Sequence, residues 1–167
     1  MASNLINKSD YYISSNCNLL YLKDNNSDLS KRYFEFIQSS NDTELQFRYA
    51  MIYYVNDIDH NKAFELFRIN SRLLHLNSIF MLSICYLYGK GVQQNTDKGL
   101  CNMIYLANID YIDAQIFIGK CCMTGYFVSK NQYDAIYWWK MAADQGNLEA
   151  LTLIEENGLW DYHLVKY

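Results

Sequence analysis

Five cysteines and three histidines are the residues of this chain that could serve a thiol nucleophile or a bound metal ion. A structural zinc site needs four closely spaced Cys or His ligands, and a catalytic thiol needs an imidazole within hydrogen-bond reach. Neither spacing occurs. Cys17, Cys85, Cys101, Cys121 and Cys122 form no C-x-x-C, and His60, His75 and His163 are scattered without an HxxxH pair. Cys121 and Cys122 are neighbours, so on a helix they point about 100° apart and make poor disulfide partners. The thiols read as reduced, in a reducing compartment. GKGV at 89–92 has the glycines of a phosphate cradle but no preceding strand and no following Lys-Ser/Thr. Asp110 and Asp113 read as helix starts and solvated turns. The expectation is a chain with no catalytic residue, no metal site and no cofactor.

The elements that would position any site are helices. The stretch AQIFIGKCCMTGYFVSKNQYDAIYWWKMAADQGNLEA (114–150) reads as two helices joined by a Gly-containing turn. Ala114, Ile118, Cys122 and Gly125 give the first helix a small-residue face. Ala135, Trp138, Trp139, Ala142 and Ala143 give the second an apolar face with two large plugs and two small seats. Gly146 stands where a left-handed cap is least strained. The pattern restarts at Ala150, thirty-six residues after Ala114, and runs backwards by the same interval. Leu82, Ser83, Tyr86, Gly89, Val92 and Asn95 stand opposite Ile118, Gly119, Cys122, Gly125, Val128 and Asn131. Self-similarity at such a period marks a helical-repeat architecture.

LSICYLYGKGV (82–92), IGKCCMTGYFV (118–128) and DAIYWWKMAADQGNLEA (134–150) together resemble the Sel-one-like repeat, a relative of the tetratricopeptide repeat. The later repeat carries Gly119, Gly125, Val128, Ala135, Trp138, Ala142, Ala143, Gly146 and Ala150 at the family's positions. It departs at Cys122, where the family prefers Tyr, and at Phe127, where it prefers Gly. The earlier repeat carries Leu82, Tyr86, Gly89, Gly91, Val92, Lys98 and Ala107, with Asn102 in the aromatic slot. The resemblance implies an all-α fold, a right-handed α-α superhelix (solenoid) of about four helix-turn-helix repeats. It also implies a non-enzymatic adaptor or scaffold that binds other proteins.

Length and composition fit that expectation. A chain of 167 residues that is 51% hydrophobic and 19% charged can bury one good core. A net charge of −4 argues against a nucleic-acid partner, which needs a basic stripe. No apolar run approaches the roughly 18–20 residues of a membrane span, and the first residues lack a signal-peptide pattern, so the expected location is cytoplasmic. Residues 1–41 read as an N-terminal segment with a degenerate capping repeat, including a weak helix over 10–22 and a stronger one over 29–38. Residues 42–158 hold repeats over 42–77, 78–113 and 114–149 and a partial one from 150. Residues 159–167 read as a C-terminal lid. The turn near 56–61 is about three residues shorter than its successors and has no glycine pair.

One surface exceeds packing needs. If Leu82, Ser83 and Tyr86 face the partner helix, the opposite side of the same helix lines the concave face of the solenoid. There it offers Phe80, Met81, Ile84 and Tyr88, apolar nearly all round. The neighbouring first helices add Arg48, Met51 and Val55 on one side and Phe117, Lys120 and Thr124 on the other. Apolar residues with Arg and Lys at the margins fit a groove for an amphipathic or acidic peptide. A surface covered from within the chain fits the same residues, as does a homodimer closing on it. A groove predicts that Met81→Glu with Tyr88→Glu abolishes binding and leaves helicity intact; a covered core predicts loss of folding.

Overall fold

A computed structural model of the chain describes residues 28–158. The helix expected over 10–22 and the lid expected over 159–167 lie outside the described residues, as do Cys17 and His163. The described residues form eight helices and no strand: α1 (Asp28–Ser39), α2 (Thr43–Val55), α3 (His60–Arg72), α4 (Leu76–Tyr88), α5 (Thr96–Asn108), α6 (Ile112–Thr124), α7 (Gln132–Asp144) and α8 (Leu148–Glu156). This is the all-α helical-repeat class. Helices of 13 residues are marginal alone, so tertiary packing and caps must hold them.

The caps carry the repeat. Asp59, Asn95 and Asn131, thirty-six residues apart, each present a side-chain oxygen to the first backbone N–H groups of α3, α5 and α7. Gly89 and Gly125 end α4 and α6 in the left-handed conformation, at φ 68° and 77°. The N–H groups of Asn95 and Asn131 reach back to the carbonyls of Tyr86 and Cys122 at 2.9 and 2.8 Å. In the two later repeats one Asn thus starts the second helix and ties it to the end of the first. Between α2 and α3 the link is four residues where the others are seven, and Asp57 at φ 57° replaces the glycine. Phe127 takes φ 70°, the value of Gly91 one period earlier, so the turn keeps its geometry where the family's glycine is missing.

The chain divides into two compact units at Gly99–Leu100. In the first, α1 packs on α2, α2 on α3 and α3 on α4. Phe47 meets Phe67 with ring centroids 5.9 Å apart, and Phe64 meets Tyr86 edge-on at 5.5 Å. The buried amide of Gln46 donates to the carbonyls of Ile37, Gln38 and Ser40, satisfying the end of α1. Buried Asn70 donates to the Thr43 carbonyl at 2.8 Å and fixes α3 to the start of α2.

In the second unit α6 packs on α7 and α7 on α8. A Cβ on Gly119 would lie 2.3 Å from Nε1 and 2.4 Å from Cδ1 of Trp139. The Trp139 ring, 1% exposed, occupies the space a side chain would take and donates from Nε1 to the Ile116 carbonyl at 3.3 Å. The expected face of two plugs and two seats is therefore corrected. Ala135, Trp139 and Ala142 are buried at i, i+4 and i+7, while Trp138 and Ala143 are half-buried at its margins, Trp138 edge-on to Tyr137. Gln115 occupies the register of Gln46. It donates to the Ala107 carbonyl and to Asp110 Oδ1 at 3.0 and 3.3 Å, and accepts from Gln145 Nε2 at 2.8 Å.

Leu74, at the corner before α4, has φ 58° and a side chain 68% exposed. One and two periods later the corner holds Asp110 at φ 62° and Gly146 at φ 86°. A left-handed L-residue costs roughly 1–2 kcal/mol, partly offset in a Gly variant by the freer unfolded chain. Leu74→Gly is expected to stabilise the protein by up to about 1 kcal/mol, read as a higher urea midpoint at unchanged m-value. A lower midpoint would show that this leucine contributes packing.

Candidate interaction surface

Among the described residues no group of three His, Cys, Asp or Glu side chains could hold a metal ion. The four cysteines among the described residues are free thiols, of which Cys101 is exposed. Burial pushes the Cys85 and Cys121 thiols up to about 12 and raises that of Cys122 as well. At neutral pH these three are protonated, and a thiol is a poor nucleophile. His75 accepts the Ser78 backbone N–H on Nδ1 at 3.2 Å, as the cap of α4, with its Nε2 3.7 Å from Glu44 Oε2. His60 opens α3, its ring edge-on to Tyr54 and its Nε2 3.2 Å from Asp57 Oδ1.

The ten residues expected to line a groove separate into two groups. In the first unit Met51, Phe80, Met81 and Ile84 are buried, and in the second Phe117 is. α4 is apolar nearly all round, and nine of its thirteen residues are shut from water. Such a helix belongs to the core, and Met81 at 2% exposure presents no surface to a partner. The expected Met81→Glu, Tyr88→Glu outcome is corrected accordingly: a carboxylate at 81 acts on folding before it can act on binding. Arg48 stands exposed on α2, and Val55 and Tyr88 are half-buried at the ends of α2 and α4. In the second unit Lys120 pairs with Glu149 of α8 at 2.6 Å. Thr124 is exposed, its hydroxyl donating to the Lys120 carbonyl at 2.8 Å.

Sequence reasoning missed the glutamine clamps. Gln46 and Gln115 occupy the same register of α2 and α6, and a polar residue inside an apolar helix face was the trace they left. The corresponding residue of α4 is Ile79, which broke the pattern. It also missed the exposed apolar residues of α1, where Ile37 is buried but Leu29 and Phe36 are 55% and 63% exposed. No helix among the described residues is long and apolar enough to cross a membrane.

A family model of the Sel1 repeat matches residues 43–69, 76–100 and 112–147, together more than half of the chain. Among solved structures the chain is similar to a Sel1 repeat protein from Oxalobacter formigenes. Identity there is 20% and the TM-score 0.65, over 75% of this chain and 37% of that one. It is also similar to a protective antigen of uropathogenic Escherichia coli strains that displays an SLR fold. Identity there is 19% and the TM-score 0.62, over 78% of this chain and 29% of that one. The chain thus spans about a third of the length of these two structures. A search of curated proteins finds no match. The matched segments hold α2–α3, α4 with the start of α5, and α6–α7, and the relatives share the fold, so the chain belongs to the Sel1 repeat family.

Proposed function

We propose that this chain is a non-enzymatic interaction module, an adaptor that binds a protein or peptide partner in the cytoplasm. The observation that carries the reading is the set of three Sel1 repeats, since proteins of this family generally mediate protein–protein interactions. In the first unit the contacting residues are Arg48, Val55 and Tyr88, around a first-helix surface whose apolar centre is core. In the second unit they are Lys120 and Thr124, of which Thr124 stands in the register of Val55 and Tyr88. Arginine and tyrosine are among the residue types enriched in binding hot spots. A net charge of −4 disfavours a nucleic-acid partner.

Arg48→Glu tests this reading, because Arg48 is exposed on α2 and its replacement should leave the fold intact. The expected result is that a partner captured by the parent protein is lost by Arg48→Glu, with helicity and melting temperature unchanged. Equal recovery by the folded variant would contradict the proposed surface.

A second reading is a homodimer closed through an apolar terminal surface. The exposure of Leu29 and Phe36 on α1 favours it, since large apolar side chains left in solvent on one helix face are a surface that a second copy could cover. Solution mass separates the two.

A further inference from the structure

We propose that residues 10–22 form the first helix of a further, N-terminal repeat whose second helix is α1, and that this helix covers the exposed apolar side of α1 within the same chain. α1 carries the register of a second helix. Its buried Ser30 and Ile37 stand thirty-three residues before Ala63 and Asn70 of α3, both buried as well. Phe34, between them, takes the place of Phe67 in α3 and of Trp139 in α7. Those two rings close on the first helices of their own repeats, Phe67 against Phe47 of α2 and Trp139 against Gly119 of α6. Both are shut from water, whereas Phe34 is half-buried and Leu29 and Phe36 are exposed. Among the described residues α1 has no first helix of its own to close on.

The chain before α1 supplies one at the matching place. Thirty-three residues before α2 lies 10–22, the span in which apolar spacing alone predicts a helix. Ser9 falls in the register of Asp42, the N-cap of α2, and serine is a strong cap. Cys17 falls in the register of Ala50, Ser83 and Gly119, the small residue that leaves room for a second helix. Leu20 falls in the register of Tyr53 and Tyr86, over whose rings Lys62 and Lys98 lie at 5.5 and 5.6 Å. The residue of α1 in the register of those lysines is Leu29, so an apolar pair replaces the cation and its ring. Residues 23–27 remain as the link, close in length to the four residues between α2 and α3. A terminal repeat of this kind shields the end of a repeat stack from water. It stands independently of the adaptor reading, and it takes away the apolar surface on which the homodimer reading rests.

Site-resolved alkylation of the full native chain tests this, read by mass spectrometry at Cys17 and at exposed Cys101, each against its own rate in urea. Amide exchange over 10–22 and over 1–8 is followed on the same protein at two concentrations a hundredfold apart. The expected result is that native structure slows Cys17 at least about tenfold more than Cys101, with exchange over 10–22 slowed at both concentrations. Leu29→Glu should lower the melting temperature and return the Cys17 rate towards its value in urea. Cys17 as little protected as Cys101, or exchange over 10–22 as fast as over 1–8, would overturn the proposal. So would a Leu29→Glu protein that melts like the parent. Protection that is lost on dilution would overturn it too, by making a second copy the cover.

Discussion

Gly119→Ala is expected to destabilise the second unit by about 1–3 kcal/mol, although alanine is the better helix former. In a solvent-exposed helix the exchange would gain about 1 kcal/mol. Here the added carbon would fall 2.3 Å from Trp139 Nε1, inside any tolerable contact. The indole cannot retreat without vacating a site where it is 1% exposed and without losing its bond to the Ile116 carbonyl. Overpacking therefore outweighs propensity. Chemical denaturation of the two proteins measures the difference, and a smaller ring at 139 should recover part of the loss, giving a favourable coupling between the sites. A Gly119→Ala variant as stable as the parent would mean that α6 and α7 are not in the register described.

Met81→Glu should have a still larger effect, about 3–5 kcal/mol, because an uncompensated charge would stand in the core. The comparison that gives this meaning is Arg48→Glu, since Arg48 and Met81 occupy the same register of α2 and α4. One is exposed and the other 2% exposed, so the same substitution should be nearly neutral at 48 and severe at 81. A buried glutamate is also driven towards its protonated form, so the defect should ease at low pH and deepen as pH rises. Circular dichroism against temperature at two pH values reads both effects. A Met81→Glu protein with parental stability would return Met81 to the surface and revive the apolar groove.

Much of this architecture was legible because the repeat is written in residue types with strong local preferences. Asn95 and Asn131 as caps and Gly89 and Gly125 as left-handed ends set the boundaries of four helices. Spacing could not say which of two adjacent tryptophans enters the core. That depends on where Gly119 leaves room across the helix pair, and the answer is Trp139. Nor could it separate a groove from a core on α4, because both require the same apolar residues and differ only in what covers them. The glutamine clamps stayed hidden for a related reason: the polar residue in each helix face is visible, but its partners, the Ile37 and Ala107 carbonyls at the end of the preceding helix, lie outside that helix's pattern.

The most direct test of the central claim, that this chain serves a partner other than itself, is its mass in solution by light scattering across a hundredfold range of concentration. The account predicts a monomer of 19.7 kDa throughout. A dimer whose mass does not change on dilution would contradict it and give the apolar surface of α1 to a second copy of the chain.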